Sequence, residues 1–375
     1  MAEEQFMKRA IELAKQGAGW TAPNPLVGAV VVKNGRVIGE GYHRKYGELH
    51  AERNALAACS EDPAGATLYV TLEPCCHYGK TPPCTEIIIE KKIAKVVIGS
   101  RDPNPKVAGK GTRILREHGI EVVEDYMREA CDALNPVFFH YITTKTPYVV
   151  LKFAMTLDGK IATRTGASKW ITGEAAREHV HRLRGRYAGI LAGIGTVLAD
   201  DPMLNCRIDG AHQPLRIILD SHLRIPMGSR LVRSAKEYPL LIVCNESNRD
   251  REEGANRIRK LEEAGAKVWT LPEKNGHPDL NVLMQRLGEE KIDSVLIEGG
   301  GTVNEAALKA HIVHHVCAYI APKIFGGEDA KTPVEGSGIR LPQECANLRL
   351  AKITVLLNDM LLEYDVEGET ECSPE

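Results

Sequence analysis

His50-Ala51-Glu52, followed by Pro74-Cys75 and by Pro82-Pro83-Cys84, is the stretch on which the reading of this chain turns. One imidazole and two thiols suit Zn²⁺. A zinc site with three protein ligands keeps its fourth position for water, whereas a structural site normally closes with a fourth residue. Bound zinc lowers the pKa of that water from about 15.7 toward roughly 7. His50, Cys75 and Cys84 are therefore the expected metal ligands, and the carboxylate of Glu52 is left over as the expected catalytic acid/base. Residues two apart lie about 200° around a helix, so His50 and Glu52 would diverge in mid-helix and belong in a first turn, at a cleft. Pro82-Pro83 suits a helix start. That puts Cys84 in a first turn too, where the positive end of the helix dipole favours thiolate.

The flanking sequence alternates strands and helices, an α/β pattern. Phe6, Ala10, Leu13 and Ala14 share one face of an opening helix. Val27 to Lys33 and Arg36 to Gly41 read as a hairpin about Asn34-Gly35, His50 to Ala58 as a helix and Ala66 to Thr71 as a strand. Lys95 to Gly99, Gly111 to His118 and Glu121 to Val123 continue the alternation, and a helical segment is expected around Met127 to Thr144. Thr146-Pro147 marks a boundary, giving expected domains at 1–145 and 146–366 and an acidic tail, 367–375, with too little to bury to be ordered. In the second domain, strands are expected at Tyr148 to Phe153, Gly189 to Gly193, Leu215 to Leu219, Leu240 to Cys244, Ser294 to Glu298 and His315 to Ile320. Helices fit Glu174 to Arg184, Arg251 to Ala264 and Thr302 to Ala310, and a hairpin closes the domain over Leu350 to Leu356 and Met360 to Tyr364.

A chain of 375 residues is long for one core and suits two domains. A net charge of −2 leaves no footprint for nucleic acid or an anionic membrane, and no apolar run approaches the roughly 20 residues that span a bilayer. Neither a nucleic-acid nor a membrane partner is expected. The acidic start Met1-Ala2-Glu3-Glu4-Gln5 lacks the features of a secretory signal, and the ten cysteines are scattered through a large chain. Cys59, Cys131, Cys206, Cys244, Cys317 and Cys345 are expected to be reduced and at least partly buried, in a cytoplasmic protein that is a homo-oligomer.

His-x-Glu…Pro-Cys…Cys is the arrangement of the zinc-dependent nucleobase deaminases, although the usual cysteine pair there has two intervening residues. The longer run from Pro74-Cys75-Cys76-His77 through Lys80-Thr81-Pro82-Pro83-Cys84 resembles the deaminase half of the bifunctional riboflavin-biosynthesis enzymes. Asn24-Pro25-Leu26-Val27-Gly28-Ala29-Val30 and Asp102-Pro103-Asn104-Pro105 extend the match. The resemblance implies a cytidine-deaminase-like, three-layer N-terminal domain, with Asn24, His43, His77 and Lys80 contacting the substrate and Lys80 near its phosphate. The family usually has serine where Cys76 stands, and a fourth-ligand role for Cys76 is the minor alternative. A structural zinc site would leave Glu52 without a task.

In the second half, Val295-Leu296-Ile297-Glu298-Gly299-Gly300-Gly301-Thr302-Val303 reads as a strand, a glycine loop and a helix start. Such a loop lets backbone N–H groups approach a phosphate, and Gly193-Ile194-Gly195-Thr196 is a weaker candidate of the same kind. Neither is the Gly-x-Gly-x-x-Gly dinucleotide fingerprint. Leu151 to Ala162, Ser168-Lys169-Trp170-Ile171-Thr172 and Gly195 to Pro202 resemble the reductase of the same pathway, so the likeness runs nearly the whole chain. It implies a dihydrofolate-reductase-like domain using NADPH, with cofactor contacts at Ala154, Trp170, Thr196, Asp200, Ser221, Gly299, Gly300, Gly301, Thr302 and Val303. Substrate contacts fall on Ser168, Arg184, Leu204, Arg207 and Glu298. Arginine grips a phosphate bidentately, and a carboxylate can fix ribose hydroxyls.

The resemblance implies zinc-dependent hydrolytic deamination of 2,5-diamino-6-ribosylamino-4(3H)-pyrimidinone 5′-phosphate. NADPH reduction of the ribosyl group to ribityl follows, with Lys152 and Asp200 as candidates for proton supply or substrate polarisation. The small-molecule partner is thus a pyrimidine ribosyl phosphate. Two rivals are a zinc-dependent nucleic-acid base deaminase with a non-catalytic C-terminal domain, and a chain with one half retained only for dimerisation or ligand sensing.

Overall fold

The structure, a computed structural model, describes residues 2–104 and 106–367. The chain divides into two compact units, Met1–Lys145 and Thr146–Glu375. Of the expected tail, residues 368–375 lie outside the described residues, while the Glu367 N–H donates to the Asn347 carbonyl at 3.0 Å.

The first unit opens with α1 (Ala2–Lys15), which buries Met7, Ala10, Leu13 and Ala14. Strands β1 (Gly28–Lys33) and β2 (Arg36–Tyr42) pair antiparallel about Asn34 and Gly35, with φ of 51° and 73°, the left-handed pair that a two-residue type I′ hairpin requires. Then come α2 (Ala51–Ala57), β3 (Thr67–Leu72), α3 (Cys84–Glu90), β4 (Lys95–Ser100), α4 (Lys110–Glu117) and β5 (Glu121–Val123). The sheet order is β2-β1-β3-β4-β5, antiparallel around β1 and parallel from β3 to β5. Alternation along each strand sorts the side chains. Ala29, Val31, Leu68, Val70, Val96 and Ile98 pack with α2, α3 and α4, and Val30, Val32, Tyr69 and Val97 pack with α1. Three layers result. The helix expected over Met127 to Thr144 is instead two, α5 (Arg128–Asp132) and α6 (Pro136–Thr144). Pro136 has no N–H to continue a helical ladder, and the Asn135 side chain brackets Leu26, accepting from its N–H at 2.7 Å and donating to its carbonyl at 2.8 Å.

The second unit begins with β6 (Tyr148–Thr156), α7 (Glu174–Arg186), β7 (Gly189–Gly193), α8 (Ile194–Asp200), β8 (Leu215–Leu219), α9 (Arg230–Arg233) and β9 (Leu240–Asn245). It continues through α10 (Glu252–Glu263), β10 (Lys267–Leu271), a small hairpin of β11 (Glu273–Lys274) and β12 (His277–Pro278), α11 (Leu280–Glu289), β13 (Ser294–Ile297) and α12 (Gly301–Lys309). Strands β14 (His315–Ala321), β15 (Leu348–Leu356) and β16 (Asp359–Val366) complete it. Nine strands form one sheet in the order β10-β9-β8-β7-β13-β6-β14-β16-β15. It is parallel from β10 to β14, and the last two strands run antiparallel. Strands β7, β9 and β13 are buried along their whole length, the signature of a parallel sheet covered on both faces. The expectation from sequence lacks α8, the short α9, β10, the small hairpin of β11 and β12, and α11. The last had a usable signal in Leu280, Leu283, Met284 and Leu287, all buried, behind the N-cap Asp279.

All cysteines among the described residues are free. Cys345 departs from the expected partial burial and is exposed: it precedes β15 in a loop, where its thiol donates to the Asn347 side-chain oxygen at 3.5 Å.

Candidate active sites

His50 is the N-cap of α2, with extended φ −73° and ψ 164°, and Glu52 lies in that helix's first turn. Cys75 follows β3, and Cys84 opens α3 behind Pro83. His50 Nδ1 lies 3.4 Å from Cys75 Sγ and 3.5 Å from Cys84 Sγ, and the Cys84 N–H donates to Cys75 Sγ at 3.4 Å. Nitrogen and sulfur bound to one tetrahedral zinc stand about 3.6 Å apart, given bond lengths of about 2.1 and 2.3 Å. The donor set and its spacing therefore fit zinc. Cys76 is not in this group; its thiol faces the Lys106 carbonyl at 3.7 Å.

A hydrogen bond from Cys84, and then one from His50, holds Cys75 down at about 4 despite burial. The same contact, with burial, pushes Cys84 up. Burial pushes the Glu52 carboxyl above its ordinary range, and the neighbouring Cys75 adds to this.

His50, Glu52 and Cys75 open on a cavity of about 300 Å³ also lined by Asn24, His43, His77 and Lys80. Asn24 Nδ2 meets His43 Nε2 at 3.1 Å, and His43 Nδ1 meets the Leu49 carbonyl at 3.1 Å. His77 Nδ1 is buried with no hydrogen-bond partner among the described residues. Lys80 Nζ sits 3.9 Å over the Tyr46 ring. Tyr46, Thr81, Asp102 and Asn104, to which the sequence assigns no role, line the same cavity. The signal for Asp102 was Asp102-Pro103-Asn104 itself: an Asp whose carboxylate accepts the Asn104 N–H at 2.8 Å is a local turn device. Burial raises that carboxyl to about 6.

In the second unit Thr196 and Asp200, Ser221, and Glu298 with the glycine loop follow the carboxyl ends of β7, β8 and β13 respectively, where open α/β sheets bind ligands, while Lys152 and Ala154 lie within β6. Arg184 on α7 forms a two-pronged pair with Glu298, which follows β13: Nε to Oε1 is 2.5 Å and Nη2 to Oε2 is 2.8 Å. Lys152 Nζ of β6 lies 3.7 Å from Glu298 Oε2. Burial would raise Glu298, but Arg184 and then Lys152 outweigh it and hold the carboxyl down at about 2. Burial pushes Lys152 below its usual range against the pull of Glu298. Arg184 and Arg207 both bear on His181, which burial first and then those charges hold down. Ser168 Oγ donates to Asp200 Oδ1 at 3.2 Å.

The glycine loop turns on two positive angles, φ 141° at Gly299 and 74° at Gly300, ahead of α12. A β-carbon on either would come nearest Thr196 Oγ1, at 3.3 and 3.5 Å, so the loop and Thr196 of α8 adjoin as a bare-backbone cradle. Thr302 and Val303 lie in the first turn of α12. Trp170 is 63% exposed, with the Arg177 guanidinium 4.8 Å over its ring. Ser221, after β8, meets His277 Nδ1 at 3.0 Å. Ala154 pairs with Tyr319 across β6 and β14, while Leu204 is buried at φ 48°.

Residues 1–100 match the cytidine and deoxycytidylate deaminase zinc-binding region, and residues 147–362 match the RibD C-terminal domain. The riboflavin biosynthesis protein RibD of Actinobacillus pleuropneumoniae is 53% identical over 366 residues, covering 98% of this chain and 96% of that protein. Its Bacillus amyloliquefaciens counterpart is 42% identical over 361 residues, 96% of this chain and 95% of that one. The solved RibD of Acinetobacter baumannii superposes with a TM-score of 0.85 at 37% identity, covering 98% of this chain and 99% of the other. The diaminohydroxyphosphoribosylaminopyrimidine deaminase/5-amino-6-(5-phosphoribosylamino)uracil reductase of Thermotoga maritima gives 0.83 at 39% identity, over 97% and 99%.

Proposed function

The chain belongs to the RibD family of bifunctional riboflavin-biosynthesis deaminase/reductases, and on that premise we propose how its two units divide the work. Residues 1–145 deaminate 2,5-diamino-6-ribosylamino-4(3H)-pyrimidinone 5′-phosphate, and residues 146–366 reduce the ribosyl group of the product to ribityl. The observation that carries this is the His50, Cys75 and Cys84 donor cluster beside buried Glu52, at the wall of a cavity lined by Asn24, His43, His77 and Lys80. The match of residues 147–362 to a reductase domain disfavours a nucleic-acid base deaminase with an idle second half.

Zinc, when bound by His50, Cys75 and Cys84, supplies a water acidified to near neutral pKa. Glu52 takes the proton of the attacking water and hands it to the departing amine, so the ring carbon exchanges a C–N for a C–O bond and ammonia leaves. Burial of Glu52 suits a carboxyl that must carry a proton near neutrality. His43, oriented by Asn24 and the Leu49 carbonyl, and His77, whose Nδ1 has no partner among the described residues, present polar edges to the pyrimidine. Lys80 faces the phosphate.

The positive-φ cradle at Gly299 and Gly300 and the first N–H groups of α12 fit a cofactor phosphate. NADPH, when bound, supplies hydride to C1′ of the opened ribose. Lys152, a buried amine held below its usual range, supplies the accompanying proton, and Asp200 with Ser168 orients the sugar. Arg184 and Arg207 grip the phosphate, and Glu298 accepts hydrogen bonds from the sugar hydroxyls.

Among the described residues no helix is long and apolar enough to cross a membrane. A cytoplasmic homo-oligomer is part of this proposal, checked by light scattering on the purified chain. The deciding experiment is mass spectrometry of products from the diaminopyrimidinone phosphate with and without NADPH. The deaminated ribosyl product should accumulate without NADPH and the ribityl product should appear with it. Release of no ammonia, or reduction of a product still carrying its 2-amino group, would overturn the assignment.

A further inference from the structure

A second group of side chains able to bind a metal lies in the second unit. His315 and Cys317 alternate on β14, so both project from one face of the sheet, the face of Tyr319, whose hydroxyl meets His179 Nδ1 of α7 at 2.7 Å. Glu363 and Asp365 alternate likewise on β16, and the antiparallel register sets Cys317 opposite Glu363 and His315 opposite Asp365. One donor atom each from His315, Cys317 and Glu363 falls within a 4.8 Å sphere of mutual distance. We propose that His315, Cys317 and Glu363 form a second metal site of this chain, one that takes a zinc-class divalent ion.

Four features carry it. The donor set of imidazole, thiol and carboxylate is one that zinc accepts. His315 Nε2 and Glu363 Oε1 stand 3.9 Å apart, near the about 3.4 Å expected of two donors at about 2.1 Å on one tetrahedral ion. The outer shell is already in place: Asp365 Oδ1 lies 2.9 Å from His315 Nδ1, the carboxylate–histidine arrangement that fixes the tautomer with Nε2 toward a metal. Arg349 pairs with the other Asp365 oxygen at 2.7 Å, which ties Asp365 to that supporting role and leaves Glu363 as the ligand. Finally, Cys317 is buried while His315 and Glu363 are half-buried, so the group has a closed floor and an open side for water or entry.

The ion would clasp β14 to β16, one strand away from Lys152, which pairs with Cys317 across β6 and β14. Its ligands are separate from those of the deaminase zinc.

The test uses the full chain, stripped with a chelator and equilibrated with buffered Zn²⁺, with bound metal counted after gel filtration. Wild type should saturate at two ions, Cys317→Ser and His315→Gln at one. In a Cys75→Ser/Cys84→Ser background, Co²⁺ should give the thiolate-to-cobalt charge-transfer absorption, and adding Cys317→Ser should remove it. His315→Gln keeps the test open if Cys317→Ser fails to fold, since NADPH-dependent reductase activity reports folding of that unit. Saturation of wild type at one ion, or a cobalt–thiolate band that survives Cys317→Ser, would leave only a hydrogen-bonded His315–Asp365–Glu363 cluster and overturn the proposal.

Discussion

Arg184 and Glu298, 114 positions apart in the chain, meet as a two-pronged ion pair with N–O distances of 2.5 and 2.8 Å, and both side chains are largely withdrawn from solvent. Removing one partner of a buried pair leaves the other charge uncompensated, at about 3–5 kcal/mol. Glu298→Ala should destabilise the reductase unit by about that much, and Arg184→Ala/Glu298→Ala by less than the sum of the single changes. Chemical denaturation of the four proteins gives the cycle; additive losses would contradict it.

The same pair sets a pH dependence. Glu298 titrates at about 2 when folded and at about 4.3 when unfolded. A depressed folded value means stability present in full above roughly pH 5 and lost as pH falls toward 2. Glu298→Gln should therefore flatten the stability–pH curve of that unit between about pH 5 and 2, while leaving its slope near neutrality unchanged. Urea unfolding at a series of pH values reads this directly.

Glu52→Gln should keep its zinc and lose deamination by about 10²–10⁴-fold, the range for a positioned proton carrier. NADPH-dependent reduction of the deaminated intermediate should stay near wild type. Zinc content and the two activities are measured on one preparation; loss of zinc in this variant would make Glu52 a ligand.

Cys84→Ser, or a strong chelator, should abolish deamination and spare the reductase. Cys76→Ser should be nearly silent, because that thiol faces the Lys106 carbonyl and not the ligand cluster. A fall in deaminase zinc for Cys76→Ser would contradict the geometry.

Gly300→Val forces a β-branched side chain into φ 74°, where it is strained, in a loop assigned to a cofactor phosphate. The Michaelis constant for NADPH should rise at least tenfold, about 1.4 kcal/mol, with deamination intact. Arg207→Ala should weaken the pyrimidine substrate more than NADPH. Steady-state constants for both ligands and both variants decide; a chiefly NADPH-directed effect of Arg207→Ala would reverse the division of that site.

The zinc cluster was legible in the sequence because its logic is local. Angular spacing sent His50 and Glu52 to a first turn, and a proline pair sent Cys84 to a helix start; the structure has His50 as N-cap and Cys84 as the first residue of α3. The Arg184–Glu298–Lys152 cluster was not legible as such. Each residue was singled out, but their mutual pairing depends on which strands lie side by side, and β13 stands between β7 and β6 although it comes long after both in the chain. The break at Asn135 is similar: Pro136 hinted at it, but the clasp on Leu26 is a long-range contact that no local pattern announces.

His50 and Cys84 sit where α2 and α3 start, and Cys75, in the loop after β3, is held through its carbonyl, which accepts the N–H groups of Cys84 and Thr85 at 3.0 and 3.2 Å; these backbone bonds owe nothing to an ion. The conformational entropy of gathering the three donors is therefore lost on folding and not on metal capture. In small zinc modules ion and fold arrive together. Here the scaffold is preorganised and should survive emptying and refilling. Deaminase output would then track the zinc made available to a standing protein, while the reductase half continues regardless.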